Sequence, residues 1–332
     1  MPMPRTVLAA LAALFLALPA AARCTGDNLY QRLAPEVRAG LAEAAAAAPF
    51  GRGLVWRARR GAEEVTVLGT YHLADPRHAA LMARAGPLID AASLVLVEAG
   101  PEEEAALLAA LGRDPSLLFA TSGPTLAERL AEAEWQALAA AMEERGVPAF
   151  LAAKFQPWYV ATLLALSPCA TRSAAAGEKG LDRAVIERAT AAGVPVRALE
   201  PFDTALRIFA QIPDAMQIDM IRAGLMPGSH ADDLAATLAD AYFAEETRLI
   251  WEFSRHDALS GSGLPAESVD AQMALAETLL MSERNRAWIG VILPALKEGP
   301  VFLAAGALHL PGETGLLRLL EAEGFAIERL TP

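Results

Sequence analysis

The sequence predicts an α/β fold: a mostly parallel central sheet with flanking helices and a helical middle region. Three observations carry that prediction. Short apolar runs of strand character, Val65-Thr66-Val67-Leu68, Leu94-Val95-Leu96-Val97 and Val301-Phe302-Leu303-Ala304-Ala305, lie far apart in the chain. Segments of helical period separate them, so the strands pair over long connections with helices packed on the sheet faces. Each run also stops on chemistry: Gly69-Thr70-Tyr71-His72, Glu98 and Gly306-Ala307-Leu308-His309. In one parallel sheet these C-terminal ends share the edge where α/β folds bind ligands.

The elements follow in order. Residues 1–22 read as a secretory signal, with Arg5 in a short basic region, an apolar run from Val7 to Leu18, and small residues Pro19-Ala20-Ala21-Ala22 at the cut. An uncleaved anchor is the alternative, against which the run is shorter than the roughly 20 apolar residues that span a bilayer. No stable membrane span is expected after cleavage. Arg23 before Cys24 is unsuited to lipid attachment. Leu33, Val37 and Leu41 then predict an amphipathic helix over Leu29 to Ala48. Leu54 to Arg59, a turn at Arg60-Gly61 and Glu63 to Leu68 predict a β-hairpin leading into the first Gly-x-x-His. Helix is expected from His78 to Ile89, strand from Ala92 to Glu98, and a helix start at Glu102-Glu103-Glu104, where the macrodipole favours carboxylates.

From Pro124 to His256 helical periods dominate, with a capping box at Thr125 and Glu128. One βα element interrupts them: a helix opened by Lys179-Gly180-Leu181-Asp182 and closed by Gly193, then a short strand finishing on Glu200. Ser260 to Pro265 reads as a flexible loop and Ser282 to Lys297 as a helix. After the second Gly-x-x-His come a helix, Leu316 to Glu323, a stop at Gly324 and a last strand, Phe325 to Leu330.

Composition bounds the function. With 332 residues and 54% hydrophobic content the chain has ample core, and disorder is excluded. A formal charge of −12 with no basic run excludes a nucleic-acid partner, whose phosphates need clustered Lys and Arg. The two cysteines, Cys24 and Cys169, in an exported chain predict one disulfide tying down the new N-terminus, with two unrelated thiols as the alternative. No Gly-x-Ser-x-Gly elbow, phosphate loop or His-Glu-x-x-His helix is present.

His72, Glu98 and His309 form the candidate site. Two imidazoles and a carboxylate at one sheet edge are a set that holds a divalent metal, with Glu98 as ligand or as general base. A glycine before each histidine is expected to let the backbone turn sharply. Each residue also has a plain structural reading, an end-of-strand cap or a core position. Asp182 and Glu200 form a second tier, explained by a helix start and a strand end. His78, His230 and His256 lack partners at ligand spacing and are set aside.

Taken in order, Leu68-Gly69-Thr70-Tyr71-His72, Val97-Glu98, Leu199-Glu200, Arg284-Asn285 and Gly306-Ala307-Leu308-His309-Leu310-Pro311-Gly312 resemble the TraB/GumN family. That family is similar to the Tiki metalloproteases and, more distantly, to erythromycin esterase and the haem-binding ChaN proteins. The resemblance implies an α/β core with a large helical insertion, here at about residues 124–171, and further helices at about 202–298, within one domain spanning 23–332. It also implies a metal-dependent hydrolytic site at His72, Glu98 and His309, with Arg284 and Asn285 orienting substrate or a carboxylate.

The reading from sequence is an exported, periplasmic or secreted, metal-dependent hydrolase of unknown metal, with a peptidase as its first form and a peptide or other small molecule as substrate. The alternative is a non-catalytic periplasmic binding protein for haem, metal or a polysaccharide-related ligand.

Overall fold

The computed structural model describes residues 24–331, so the signal segment read at 1–22 lies outside the described residues. Six strands form one mixed sheet: β1 (Val55–Arg60), β2 (Glu63–Thr70), β3 (Leu94–Val97), β4 (Val196–Ala198), β5 (Val301–Gly306) and β6 (Ala326–Arg329). Their order is β4-β3-β5-β2-β1-β6. The pairs β4–β3, β3–β5 and β5–β2 are parallel, whereas β2–β1 and β1–β6 are antiparallel. The four segments leading to His72, Glu98, Glu200 and His309 therefore run side by side, as the sequence predicts. The hairpin closes on Gly61-Ala62 with Arg60 opposite Glu63. Positive φ falls on Gly61 alone, as in a type II′ turn.

The strands β3 and β5 are buried along their whole length, so their apolar runs serve both faces. Alternation sorts the side chains. Val65, Val67, Leu94, Leu96, Val301 and Leu303 pack with Trp288 and Ile292 of helix Glu283–Ala295. On the opposite face Leu68, Val95, Val97 and Phe302 pack with Leu81 and Ile89 of helix His78–Asp90, Val185 of helix Leu181–Ala192, and Tyr242 of helix Gly228–Phe243. A third core, around Leu138, Met142, Val160 and Leu164, belongs to the helical region, and Ile218 and Ile221 from helix Asp214–Gly224 complete it. The helices between about 124 and 171 thus share their core with a later helix.

Some element boundaries move. The helix expected over Leu29 to Ala48 is two, Leu29–Arg32 and Pro35–Ala47, because Pro35 lacks the amide a continuous helix needs. Helix Thr247–Gly261 runs into the segment expected as a loop, leaving only Ser262 to Pro265 outside helix. A π-helical turn, Glu277–Ser282, precedes helix Glu283–Ala295. The capping box at Thr125 forms, with Glu128 accepting from the Thr125 amide at 2.8 Å, and Gly193 closes its helix with φ of 72°. Cys24 and Cys169 form a disulfide with Cα atoms 5.6 Å apart. Among the described residues no helix is long and apolar enough to cross a membrane.

Candidate functional site

Sheet parity decides which helix each site residue meets. Glu98, one step past β3, continues the alternation of Leu94 and Leu96 toward helix Glu283–Ala295. Thr70 and His72 continue that of Leu68 toward helix Leu181–Ala192.

Asp182, in the first turn of that second helix, binds both of the latter residues. Its Oδ2 lies 2.7 Å from His72 Nδ1 and its Oδ1 accepts from Thr70 Oγ1 at 2.5 Å. The helix N-terminus can come so close because residue 180 is glycine: a Cβ there would sit 2.1 Å from the His72 carbonyl oxygen. The Leu181 amide donates to the Tyr71 carbonyl at 3.0 Å, fixing the approach. Placed as a second-tier residue by sequence, Asp182 is the direct partner of His72.

Arg284 is the centre of the other half. Its Nε and Nη2 fork onto Glu200 at 2.9 and 2.7 Å, and Nη2 also donates to Glu98 Oε2 at 2.5 Å. Nη1 donates to the Leu280 carbonyl in the π-helical turn at 3.0 Å and lies 3.2 Å from His309 Nε2. Trp288 Nε1 donates to Glu200 Oε2 at 3.0 Å. Glu98 Oε1 accepts from the Gly306 amide at 2.6 Å. Glu200, also second-tier by sequence, is thus bound to Arg284 in bidentate fashion.

His309 is buried and lies against Trp288 with ring centroids 4.3 Å apart and planes tilted by 33°. Its Nδ1 lies 2.7 Å from Asn285 Oδ1. The Asn285 amide nitrogen is spent on the carbonyls of His309 and Thr314, so Oδ1 must accept and Nδ1 must carry the proton. The Nε2 lone pair then faces Arg284 and Glu98, whose Oε1 is 3.9 Å away. Asn285 is fully buried and acts through His309.

The three groups titrate apart. Burial lowers the His309 imidazole, with Arg284 and His72 adding to it against the pull of Glu98, and the result is about 4. At His72 crowding by surrounding atoms also lowers the pKa, but the hydrogen bond and charge of Asp182, with the charge of Glu98, outweigh it and raise the ring to about 9. The His72 side chain is nevertheless 63% exposed, so solvent weakens that pull. Burial alone would raise Glu98; the charges of His309, His72 and Arg284 and the Gly306 amide instead lower it to about 2.

Both motif glycines serve close approach, correcting the expected sharp turn. Neither has positive φ; Gly306 sits at φ −49°, ψ 134°. A Cβ on Gly69 would lie 3.1 Å from Ala307 Cα in the facing motif. One on Gly306 would lie 3.1 Å from His72 Nε2 and 3.3 Å from Glu98 Oε1. The space between those two atoms exists because position 306 has no side chain.

The set can be tested against a shared divalent ion. Each imidazole has Nδ1 tied, to Asp182 or Asn285, which is how ligand histidines are held. Against this, Arg284 and the Gly306 amide engage both oxygens of Glu98, and the guanidinium, itself a cation, abuts His309 Nε2. Among the described residues no three His, Cys, Asp or Glu side chains close on one point. As arranged, these residues do not fit one ion.

The three remaining histidines lie elsewhere: His78 is buried and bonded to the Leu73 carbonyl, His230 pairs with Asp257 at 3.1 Å, and His256 lies beside Phe253 with ring centroids 6.3 Å apart. A cleft of about 530 Å³ opens beside His72 and is lined by Tyr71 and by the disulfide-tethered residues Cys24 to Gly26. Sequence reasoning missed Gly180, Tyr71 and Trp288 as parts of the site. Only Gly180 left a usable signal, a glycine immediately before a helix-opening Leu-Asp.

Comparison with curated proteins finds no match. Comparison with known families matches residues 54–329 to the TraB/PrgY/gumN family, a span from the residue before β1 to the last residue of β6. That span holds the whole sheet, both Gly-x-x-His motifs, Glu98 and Arg284, and the chain belongs to the TraB/PrgY/gumN family.

Proposed function

We propose that this chain is an exported hydrolase acting at a carbonyl carbon, with peptides as the first substrate class. One observation carries the reading: two imidazoles, one paired with the Asp182 carboxylate and the other buried against the Asn285 amide, flank the single carboxylate of Glu98. His72, raised to about 9, holds a proton at neutral pH, whereas His309, lowered to about 4, does not. Groups whose environments push their pKa values apart are suited to acid and base roles in one reaction. In the proposed step Arg284 Nη1 releases His309 Nε2, which takes a proton from water as the water oxygen bonds to the carbonyl carbon. His72 Nε2 gives its proton to the leaving nitrogen or oxygen as that bond breaks. Glu98 stands between them as the anion that favours the charged form of either ring, and Arg284 fixes Glu98.

No step is routed through a metal, because Arg284 stands where a shared ion would meet His309 and Glu98. A metal-dependent form of the reading requires Arg284 to withdraw. Export is supported by the leader-like residues 1–22 and by a disulfide, a bond that oxidising compartments maintain. The second reading, a non-catalytic binding protein, is favoured by the way Arg284 directs its donors to Glu98, Glu200, Leu280 and His309 inside the site. The test is turnover of a broad peptide and ester set by the wild type and by His72→Ala and His309→Ala. Loss in both variants supports the hydrolase; no wild-type turnover leaves the binding protein.

A further inference from the structure

We propose that the cleft beside His72 is a subsite for an unbranched alkyl chain whose carbonyl head lies at Tyr71 and His72. The proposal rests on the hydrolase reading only for the fate of that head.

The walls set the chemistry. Helix Pro168–Ala175 contributes Ala170 and Ala174, and helix Gly228–Phe243 contributes Ala235, Ala236 and Ala239, so the facing side chains are methyl groups. Four of the polar side chains among them are already paired within the protein. Ser167 Oγ accepts from the Ala170 amide, Ser173 bonds Glu178, Arg77 bonds Asp75 and Asp240, and Lys179 bonds Glu187. A polar chain entering here would give up water and gain no hydrogen bond from these groups, whereas an alkyl chain has none to give up. At the floor, among the described residues, the Tyr71 hydroxyl and His72 Nε2 have no hydrogen-bond partner, and both line the cleft, with the Thr25 hydroxyl the one further unpaired side-chain oxygen, on the tethered segment. Stacking on Tyr242, with centroids 5.2 Å apart, holds the Tyr71 ring. The ligand that satisfies walls and floor is a slim apolar chain ending in a carbonyl or carboxylate.

The third wall is held rigid. Residues Cys24 to Gly26 are held by the disulfide to Cys169 and by close backbone approach, since a Cβ on Gly26 would lie 2.5 Å from the Asp232 carbonyl oxygen. The Asp27 amide donates to Asp233 Oδ1 at 2.7 Å and the Leu29 amide to Thr237 Oγ1 at 2.8 Å. A wall fastened at this many points does not move aside for a bulkier ligand.

The experiment is calorimetric titration of the purified exported chain with butyrate, hexanoate, octanoate and 2-propylpentanoate, the last a branched isomer of octanoate. Affinity is expected to rise roughly threefold to fourfold per added methylene, and the branched isomer to bind at least tenfold more weakly than octanoate. Ala174→Trp, at an exposed helix position, and Ala236→Leu should each weaken octanoate at least tenfold with the thermal midpoint unchanged. Tyr71→Phe should weaken every chain length by the same factor. Binding without length dependence, equal binding of the two isomers, or indifference to both wall variants overturns the subsite. Octanoate binding as described with no hydrolysis of an octanoyl anilide leaves the subsite standing and removes fatty acyl amides from the substrates of the proposed hydrolase.

Discussion

Asp182 lies 2.7 Å from His72 Nδ1, although 110 residues separate the two in sequence. The contact fixes the ring, gives it an anionic partner and leaves Nε2 facing the space over Gly306. Asp182→Asn keeps the shape and removes the charge, so His72 should lose most of its raised basicity. Turnover is expected to fall roughly 10²-fold or more, within the range acid–base catalysis contributes. Nitrogen-15 NMR of the imidazole, followed against pH, checks the first part, and steady-state kinetics the second.

Gly306 leaves open the space between His72 Nε2 and Glu98 Oε1. Its backbone conformation is one alanine adopts freely, so Gly306→Ala should fold with stability within about 1 kcal/mol of wild type. The added methyl fills the reacting position, and turnover should drop about 10²-fold. Urea unfolding beside kinetics separates the two effects.

Arg284 occupies the place a shared cation would need. Divalent ions should therefore bind weakly to wild type and more tightly to Arg284→Met, which frees Glu98 and His309 together. Elemental analysis after dialysis against zinc or manganese tests this. Retention of one ion per wild-type chain, lost rather than gained in Arg284→Met, would contradict the assignment.

Acid should destabilise the fold in two windows. His309 is lowered from 6.5 to about 4, so the folded chain holds fewer protons there than the unfolded one; its contribution is full above pH 6.5 and fades as pH falls toward 4. Glu98, lowered from 4.5 to about 2, acts in the same direction between those values. His72, raised to about 9, acts oppositely: its contribution is present below pH 6.5 and fades toward 9, and exposure keeps it small. Urea midpoints measured across pH should decline below 6.5, and His309→Asn should remove the upper part of that decline.

The disulfide spans 145 residues, and closing so long a loop restrains the unfolded chain strongly. Replacing both cysteines by serine should cost roughly 2–4 kcal/mol, read as a lower denaturation midpoint. It should also loosen the segment from Cys24 to Gly26 beside the cleft.

Much of this architecture was legible in the residues. Val65 to Leu68, Leu94 to Val97 and Val301 to Ala305 announce buried strands by apolar content, and the four parallel neighbours bring their ends to one edge. The antiparallel side was legible as a hairpin, but the docking of β6 on β1 is a long-range pairing that no local pattern encodes. Partners in the site were harder. Asp182 and Glu200 have adequate local explanations as a helix start and a strand end, and only packing reveals that the first meets His72 and the second Arg284. The motif glycines were recognised for the wrong reason: their lack of a side chain matters at the contact with Ala307 and in the gap between His72 and Glu98, which lie in other segments of the chain.

The central claim is that His72 and His309 act as acid and base from opposite proton states. The measurement that tests it most directly is the pH dependence of kcat/KM for hydrolysis of a peptide or acyl substrate, which reports the free enzyme's essential groups. The account predicts a bell with a lower limb near 4 from His309 and an upper limb above 6.5 from His72, whose exposure holds it short of the full rise. A single limb near 6.5 that His72→Ala and His309→Ala leave in place would contradict it.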